Sequence, residues 1–469
     1  LAAVRAALQH VEGAYAFVAV SADNPDRLVA ARNRSPLLVG VKPGHMMVAS
    51  DATALLEHTR SVVFLDDGDV VEITREGMTL VDKAGRPKEP KVHELTWTME
   101  AAEKGGFDHF MLKEIHDIPE ALHEVLRGRL QMLGDRFDVE GTLTEAHLRG
   151  ARRIVVLACG TSYYSGMVAK SIVESLAGVP VEVHLASEFR YAPSLTYDDT
   201  LAILVSQSGE TADTLEALRR AQQLGCRTLA FVNVVGSSLA REAEGVFYLR
   251  AGPEIGVAST KAFVNMVAGF YLLGLHLARV RGTLTPAQAK ALTSELRALP
   301  RLAQQTLEKD PEVRAVAEEF FAGATDAFFL GRQANHGLAM EGALKLKEIS
   351  YVHAEGYAAG ELKHGPLALL VPGLPVVALL PQGDATYGVM VSNIGEVRAR
   401  GAKVLAIAGD ADPNVEKYVE RALRVPKTDP LFFPIPACVV LYLLAYHVAK
   451  ARGCNIDKPR NLAKSVTVE

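Results

Sequence analysis

Short apolar runs separated by turn-forming residues fill the first part of the chain, residues 11–80. Ala14–Val20, Leu37–Val41 and Val70–Thr74 are examples, and Asn, Asp, Gly and Pro lie between such runs. This spacing predicts a meander of β-strands. The polar stretch Lys83–Lys91, which contains one glycine and two prolines, interrupts the pattern, and we interpret it as a linker.

From Ile154 onward the hydrophobic pattern changes in kind. Continuous apolar runs alternate with amphipathic helical segments over Ile154–Val232, and the same alternation returns over Ala327–Ala408. Apolar strands separated by helices are typical of a parallel sheet that is buried on both faces. Right-handed crossovers bring the carboxyl ends of such strands, and the loops that follow them, to one edge. The repetition predicts two related α/β domains in tandem.

The composition is that of an ordinary globular protein with several cores. Of its 469 residues, 49% are hydrophobic and 22% are charged, and the formal net charge is −5. Because there is no basic excess, neither nucleic acid nor an anionic membrane is expected as a partner. The longest apolar candidate for a membrane span, around Ala437–Ala449, is too short and contains His447. We therefore expect a cytoplasmic protein.

The cysteines do not predict a metal site. They show neither CxxC spacing nor histidines at zinc-ligand intervals. Free thiols also suit a reducing compartment. The four positions are Cys159, Cys226, Cys438 and Cys454.

The loop Ser206–Thr211, with the sequence Ser-Gln-Ser-Gly-Glu-Thr, lies between an apolar run and a helical segment. Unpaired N–H groups at a helix N-terminus attract anions, and one hydroxyl would be enough for simple capping. The loop therefore predicts a phosphate site. A second loop, Cys159–Ser162, follows the preceding strand and should converge on the same crevice. Since neither a dinucleotide fingerprint nor a P-loop is present, a small phosphorylated metabolite is favoured over a nucleotide.

Charged residues in the second repeat admit two interpretations. Glu341, Lys345 and Glu348 share one helix face, and this spacing alone favours a solvated stripe of ion pairs. His364, however, follows closely in a glycine-bounded loop, and a carboxylate with an imidazole near a phosphate suits proton transfer on a sugar. The polar segment Asp457–Glu469 alone favours a frayed tail.

Seven motifs are more specific than these patterns: ACGTSY (158–163), SEFRY (187–191), SQSGETADTL (206–215), EIGVASTKAF (254–263), EGALKLKEISY (341–351), GELKHGPLAL (360–369) and PRNLAKSVTVE (459–469). Together they resemble the glucosamine-6-phosphate synthase family, the glutamine–fructose-6-phosphate aminotransferases, from Gly13 to Glu469. The resemblance implies tandem sugar isomerase (SIS) domains with parallel sheets, preceded by a partial α+β glutaminase domain of the N-terminal-nucleophile class. The expected bounds are 1–92 for the partial glutaminase domain, 93–283 for a linker and the first SIS domain, 284–453 for the second, and 454–469 for an active-site tail.

The resemblance also implies a reaction. Members of the family convert fructose 6-phosphate and glutamine to glucosamine 6-phosphate and glutamate, with no metal or organic cofactor. The implied phosphate ligands are Ser162, Ser206, Gln207, Ser208 and Thr211. The residues implied to line the sugar are Thr161, Val257, Ser259 and, in the tail, Ala463.

The implied catalytic roles fall on four residues. Glu348 would move the proton between C1 and C2, and Lys345 would support the site. Lys464 would form an imine with the C2 carbonyl, under a tail that closes over the sugar. His364 would assist ring opening from a neighbouring subunit, so a homodimer is expected. Glu341 is a weaker candidate.

The start of the chain departs from the family pattern. The resemblance implies a nucleophilic cysteine at the mature N-terminus of the glutaminase domain, whereas position 1 is Leu1. None of the cysteines is a substitute, because all lie in isomerase-like segments. We therefore expect the first half of that domain to be missing, so that glutamine would act only through the missing part. Sugar isomerisation, or amination with free ammonia, would be retained.

Two other functions on the same fold remain open. A phosphosugar-sensing regulator would keep the 206–211 loop but would not need Glu348, His364 or Lys464, and the chain has no basic helix-turn-helix segment. A fructosamine-phosphate deglycase would not need the glutaminase-like segment before residue 91.

Overall fold

The computed structural model describes residues 1–95, 97, 103–130, 137–191, 193 and 198–466. An N-terminal unit of antiparallel strands precedes two units with parallel sheets. The expected α/β architecture with tandem parallel sheets after an α+β segment is confirmed.

The N-terminal unit contains helix α1 (Ala2–Leu8) and two antiparallel sheets. One sheet has the order β1-β2-β6-β7-β8 and the other β4-β3-β5-β9. Ala30 and Val71 of the first sheet share an apolar cluster with Val39 and Val63 of the second, so the sheets pack face to face. The strands are β1 Tyr15–Ser21, β2 Asn24–Asn33, β3 Leu38–Lys42, β4 His45–Ala49, β5 Ser61–Phe64, β6 Val70–Ile73, β7 Met78–Val81, β8 Pro87–Lys88 and β9 Val92–Glu94.

The interpretation of Lys83–Lys91 as a linker is wrong. Strand β8 within this stretch pairs antiparallel with β7, and the Lys88 ammonium lies 2.7 Å from the Asp69 carboxylate. The polar composition suits an edge strand, where proline is tolerated because one side of the strand has no ladder to complete. Strand β9 then pairs with β5, so the N-terminal unit continues to at least Glu94.

The first α/β unit has the strand order β10-β15-β14-β13-β11-β12. All pairs in it are parallel except that of β10 with β15. Its strands are β10 Glu140–Gly141, β11 Arg153–Ala158, β12 Val181–Leu185, β13 Thr200–Ser206, β14 Arg227–Val232 and β15 Gly245–Tyr248. The helices up to its end are α2 Phe110–His116, α3 Ile118–Leu126, α4 Glu145–Gly150, α5 Gly160–Ala177, α6 Ala186–Phe189, α7 Ala212–Gln223, α8 Ser238–Glu242 and α9 Lys261–Arg281.

The second α/β unit has the order β17-β16-β18-β19-β20, and all of its pairs are parallel. Its strands are β16 Asp326–Gly331, β17 His353–Ala358, β18 Pro375–Leu380, β19 Lys403–Gly409 and β20 Arg421–Val425. The helices are α10 Pro286–Leu307, α11 Asp310–Phe320, α12 Ala334–Ser350, α13 Tyr387–Arg398 and α14 Pro434–Ala451. In both units the order reverses beside the first long strand, which opens a crevice at the carboxyl ends of the strands.

The two α/β units share one apolar core. Helix α12 of the second unit packs against α5 of the first and against α14, and residues of all three helices belong to one buried cluster. Two segments, Lys261–Arg281 and Pro430–Ala451, are long and apolar enough to cross a membrane by length and composition. Their apolar windows are 89% and 94% buried within the fold, as in core helices that are hydrophobic all round. The prediction that the apolar segment around Ala437–Ala449 is too short to span a membrane is therefore wrong on length.

The crossing of α12 and α5 depends on a glycine. A Cβ atom at Gly337 would lie 2.8 Å from the backbone nitrogen of Val168 and 2.8 Å from Cβ of Met167. We expect Gly337→Ala to lower the free energy of unfolding by about 1–3 kcal/mol, because the helices must move apart. The shift of the urea unfolding midpoint measures this loss.

Gly395→Ala is the matched control for that substitution. Gly395 lies in helix α13, and a Cβ atom there meets nothing within 4 Å. Because alanine favours the helix over glycine, this variant should unfold at the same or a higher urea concentration. Equal midpoints for the two variants would contradict the proposed close approach.

Candidate active site

The loop 206–211 lies at the carboxyl end of β13 and leads into α7. The hydroxyl of Ser206 accepts a hydrogen bond from the Gly209 amide at 3.0 Å and lies 3.0 Å from the Thr211 hydroxyl. The Ser208 hydroxyl accepts one from the backbone amide two residues ahead at 3.2 Å. The loop is therefore ordered by its own polar groups, and its hydroxyls lie at the N-terminus of a helix, where anions are favoured.

Gly209 is needed for the shape of this loop. Its φ is +68°, and a Cβ atom would come within 2.1 Å of the Ser237 hydroxyl oxygen. Both the backbone conformation and the space thus exclude a side chain. The carbonyl of Gln207 accepts a hydrogen bond from the Asn233 amide at 3.1 Å, which fixes the loop to the neighbouring strand end.

The second predicted loop lies beside the first. Thr161 and Ser162 lie in the first turn of α5, directly after β11, and β11 pairs with β13. The Ser162 carbonyl accepts a hydrogen bond from the Ser165 hydroxyl at 2.6 Å. The hydroxyl of Thr161 donates to the Glu341 carboxylate at 3.4 Å. This contact joins the crevice of the first unit to helix α12 of the second.

The solvated-stripe interpretation of the α12 charges is wrong. Glu341 and Lys345 are 0% and 1% exposed, while Glu348 keeps 22% of its side chain accessible. The Lys345 ammonium lies 2.6 Å from Glu348 and 3.7 Å from Glu341. Tyr442 of α14 donates a hydrogen bond to Glu341 at 3.0 Å. The packing of α5 and α14 on both sides turns a surface-like pattern into a buried charge cluster.

Burial sets the protonation of this cluster. It raises the pKa of Glu341 to about 7, with Lys345 opposing and Glu348 reinforcing the effect. Burial alone would lower the pKa of Lys345, but the Glu341 and Glu348 carboxylates outweigh it and raise that pKa. At neutral pH the cluster thus holds a charged lysine beside the partly accessible Glu348.

The interpretation of the C-terminal segment as a frayed tail is wrong as far as residue 466. The Lys464 ammonium donates to the Glu254 carboxylate at 2.7 Å and to the Gly256 carbonyl at 2.8 Å. Further along, the Val466 carbonyl accepts a hydrogen bond from the Ala212 amide at the start of α7. The tail therefore extends from the 254–256 loop to the helix that follows the 206–211 loop. The predicted positions 467–469 lie outside the described residues.

Glu254 is the buried counter-ion of this lysine. Burial opposes its ionisation, but the Lys464 ammonium and the amides of Thr260 and Ala262 hold its pKa below the ordinary value. Its charge also contributes to the raised pKa of Lys345. The tail lysine and the α12 cluster are thus electrostatically linked.

The N-terminal unit contacts the 206–211 loop directly. Arg32 of β2 is almost fully buried and lies 2.8 Å from Asp67 and 3.9 Å from Glu210. Glu210 itself accepts hydrogen bonds from the amide and the hydroxyl of Ser238, both at 2.8 Å. A cavity at this contact is lined by Arg32, Ser208, Glu210 and the tail residue Ser465, among others.

The remaining predicted residues are less closely connected. Val257 donates its amide to the Asp457 carbonyl at 3.1 Å, and the Ser259 hydroxyl is buried without a partner among the described residues. Ala463 is exposed beside Lys464. His364 is also exposed, at the end of the 3₁₀ turn Ala359–His364, and forms no hydrogen bond or ion pair with the other predicted residues in the described part of this chain.

Sequence reasoning missed three residues of the site. Glu254 lies in the motif EIGVASTKAF, seven residues before Lys261. An acidic residue shortly before the start of a helix is a signal that could have indicated a role. Tyr442 lies in a predominantly apolar helix, and no sequence signal marks its contact with Glu341. Glu114 of α2 accepts hydrogen bonds from the amides of the 255–256 peptide, which only the tertiary fold reveals.

The corresponding loop of the second unit, between β18 and α13, carries a carboxylate, Asp384. In the loop before α13, the Asp384 carboxylate accepts hydrogen bonds from the amide of Thr386 at 2.6 Å and from its hydroxyl at 2.5 Å. A carboxylate in that place repels a phosphate. Among the described residues, no group of three or more His, Cys, Asp or Glu side chains could hold a metal ion.

The chain is similar to known proteins over its whole length. The SIS domain family matches residues 147–275 and 320–449. A glutamine–fructose-6-phosphate aminotransferase (isomerizing) from Methanosarcina acetivorans is 50% identical over 100% of this chain and 76% of its own length. The enzyme of the same name from Thermus thermophilus is also 50% identical, with 77% of its length covered.

The chain belongs to the glutamine–fructose-6-phosphate aminotransferase family. A solved structure supports the assignment for the α/β units. The C-terminal domain of glucosamine-fructose-6-phosphate aminotransferase from Francisella tularensis is 39% identical and superposes with a TM-score of 0.72. It covers 76% of this chain and all of that domain. The curated relatives match the whole chain, and the solved domain adds structural similarity over 76% of it.

The raised pKa of Glu341 predicts a pH-dependent stability. Between pH 4.5 and 7 the folded chain keeps a proton on Glu341 that the unfolded chain loses, so stability falls as pH rises through this window. In Glu341→Gln this dependence is absent, and glutamine can still accept from Tyr442. Relative to wild type, the variant should therefore gain up to about 3 kcal/mol between pH 5 and pH 8.

Urea unfolding of both proteins at the two pH values measures this gain. Glu318→Gln is the control, because Glu318 lies on the surface of α11 in an exposed pair with Arg314. If the stability difference between Glu341→Gln and wild type is the same at pH 5 and pH 8, the raised pKa of Glu341 is contradicted.

Proposed function

We propose that this chain binds fructose 6-phosphate in the crevice between loops 159–162 and 206–211 and converts it to an amino sugar phosphate. The observation that carries the proposal is the tail: Lys464 is held at Glu254, and the Val466 carbonyl is bonded to the first turn of α7. A primary amine is thus held in a segment that also bonds to the helix following the 206–211 loop. This arrangement suits a ketose phosphate whose carbonyl is attacked by an amine.

Phosphate binding is assigned to the hydroxyl-rich loop and the adjacent helix start. Ser206, Ser208 and Thr211 offer hydroxyl donors at the N-terminus of α7, together with the side chain of Gln207 and the hydroxyl of Ser162. These groups donate without adding charge, and the helix dipole supplies the electrostatic attraction. Thr161, Val257, Ser259 and Ala463 are assigned to the walls around the sugar.

Lys464 is assigned to imine formation. Its neutral amine would add to the C2 carbonyl, and loss of water would then give the imine and fix the open-chain sugar. In the structure Lys464 is paired with Glu254, so the ammonium must give up a proton before it attacks. Sugar binding beneath the tail would desolvate the amine and favour its neutral form.

Glu348 is assigned to the proton transfer between C1 and C2. Its carboxylate is partly accessible, whereas that of Glu341 is fully buried. Lys345 holds one oxygen of Glu348 at 2.6 Å and leaves the other available to a substrate. A base removes the proton from one carbon and returns it to the neighbour, so that a ketose becomes an aldose or its amino derivative.

The proposal includes an assembly, in which the exposed His364 acts across a subunit boundary. We assign it to ring opening in the active site of a second copy, which makes the active form a homodimer in the cytoplasm. Glutamine would supply ammonia through a complete glutaminase domain, of which the unit assigned to residues 1–92 is part. The first SIS domain with its linker is assigned to 93–283, the second to 284–453 and the tail to 454–469.

The first experiment follows the conversion of fructose 6-phosphate to glucose 6-phosphate, and its amination with ammonium. Glu348→Gln should lower turnover by at least about 100-fold, as expected for loss of a general base, while sugar phosphate affinity stays within about threefold. Lys464→Ala should be equally inactive. Lys458→Ala, an exposed lysine of the same tail, is the control and should keep full activity.

One outcome of that experiment would replace the proposal. Wild type that binds fructose 6-phosphate but neither isomerises nor aminates it would favour a phosphosugar-sensing regulator.

A mixing experiment tests the shared site. Glu348→Gln and His364→Ala chains are each expected to be inactive. When the two are unfolded, mixed in equal amounts and refolded, half of the dimers are heterodimers with one intact site. Activity should then return to about a quarter of wild type. If His364 instead acts within its own chain, mixing restores nothing.

A further inference from the structure

Helix α2 (Phe110–His116) touches both segments that hold Lys464. At its start, the amides of Phe110 and Met111 donate to the two carboxylate oxygens of Asp457, each at 3.0 Å. The carbonyl of Asp457 in turn accepts the Val257 amide. The beginning of the tail and the loop of residues 254–257 are thus both joined at one helix.

In its last turn, the same helix contributes Glu114. This side chain is 2% exposed, and one of its oxygens accepts hydrogen bonds from the amides of Ile255 and Gly256, the latter at 3.1 Å. Its other oxygen is buried and has no hydrogen-bond partner among the described residues. A Cβ atom at Gly256 would lie 2.9 Å from that oxygen, so residue 256 must stay a glycine for the contact to form.

Gly256 connects the glutamate to the reactive lysine. Its N–H donates to Glu114, and its C=O accepts from the Lys464 ammonium at 2.8 Å. Glu254, two residues earlier in the chain, provides the second acceptor for the Lys464 ammonium, at 2.7 Å. Both acceptors of the ammonium therefore lie on a segment whose backbone orientation depends on Glu114.

The charges around Glu114 are consistent with a fixed, tightly packed position. Burial, followed by the Glu254 charge, raises the pKa of Glu114 to about 7, while Lys464 and Lys261 oppose the rise. Lys261 is itself paired with Asp117 at 2.9 Å. A carboxyl group that is neutral part of the time can be replaced by an amide without loss of its hydrogen-bond acceptor.

We infer that Glu114 is a positioning residue for Lys464, which it orients through the 255–256 peptide. The inference rests on the proposed imine role of Lys464. Glu114 does not touch the substrate in this scheme. Because misplacement of a reacting group by about 1 Å can cost 100-fold in rate, loss of the two amide contacts should slow imine formation without weakening phosphate binding.

Reductive trapping tests this inference on the whole chain. Fructose 6-phosphate is added with sodium borohydride, and the sugar adduct on Lys464 is quantified over time by peptide mass spectrometry. Glu114→Ala should slow trapping and lower kcat by at least about tenfold, with KM for fructose 6-phosphate within about twofold. Glu120→Ala, which removes an exposed glutamate of the next helix, is the matched control and should trap at the wild-type rate.

Two further variants separate geometry from charge and guard against a folding defect. Glu114→Gln keeps the acceptor oxygen and should trap within about threefold of wild type. Glu114→Asp keeps the charge, but its side chain is one methylene too short to reach both amides. Its trapping rate and kcat should therefore fall as much as those of the alanine variant. Wild-type trapping rates in both the alanine and aspartate variants would overturn the inference.

The outcome for wild type distinguishes this inference from the function on which it rests. If wild type forms no adduct on Lys464 while Lys464→Ala is also unlabelled, the proposed imine step fails. If wild type is labelled at Lys464 and every Glu114 variant is labelled equally fast, only the positioning role fails.

Discussion

The packing of α12 against α5 is the contact on which the rest of the site depends. The two α/β units do not keep separate cores but bury helices from both in one apolar cluster. At Gly337 the helices approach so closely that even a methyl group would meet backbone. This approach carries Glu341, on a helix of the second unit, to Thr161 at the crevice of the first. A catalytic arrangement built from two units needs such a rigid joint, because small displacements of reacting groups are costly.

The contact between α12 and α5 encloses a cluster of buried charges. Lys345 lies between two carboxylates, and the fully buried Glu341 has its pKa raised to about 7 while Glu348 keeps access to solvent. A buried ion pair is expensive unless its partners are held in good geometry. In this cluster the Lys345 ammonium lies 2.6 Å from Glu348 and 3.7 Å from Glu341, so both carboxylates offset the cost of burying its charge. Lys464 and Glu254 repeat the arrangement at the tail, where the counter-ion is again completely buried.

The N-terminal unit is connected to this chemistry through polar contacts. Arg32 reaches from its sheet to Glu210 in the 206–211 loop. Helix α2, which lies outside the N-terminal unit, connects the tail with the 254–257 loop. In both places a buried side chain from one segment fixes the backbone or the charge of another. The contact of Arg32 with Glu210 therefore joins the N-terminal unit to the loop at the carboxyl end of β13.

The sequence by itself determined the repeated α/β pattern, because continuous apolar runs can be satisfied only by sheets buried on both faces. It also located the 206–211 loop, since a cluster of hydroxyls after a buried strand has a local physical meaning. Local patterns could not predict the burial of Glu341 and Lys345 or the ordered tail. The interpretations they favoured, a solvated stripe of ion pairs and a frayed terminus, were wrong. Charged helix faces and polar termini are normally solvated, and only long-range packing removes the water. The contacts of Glu114 and Tyr442 could be found only from the tertiary structure, because the partners of these residues are more than 100 residues away in the chain.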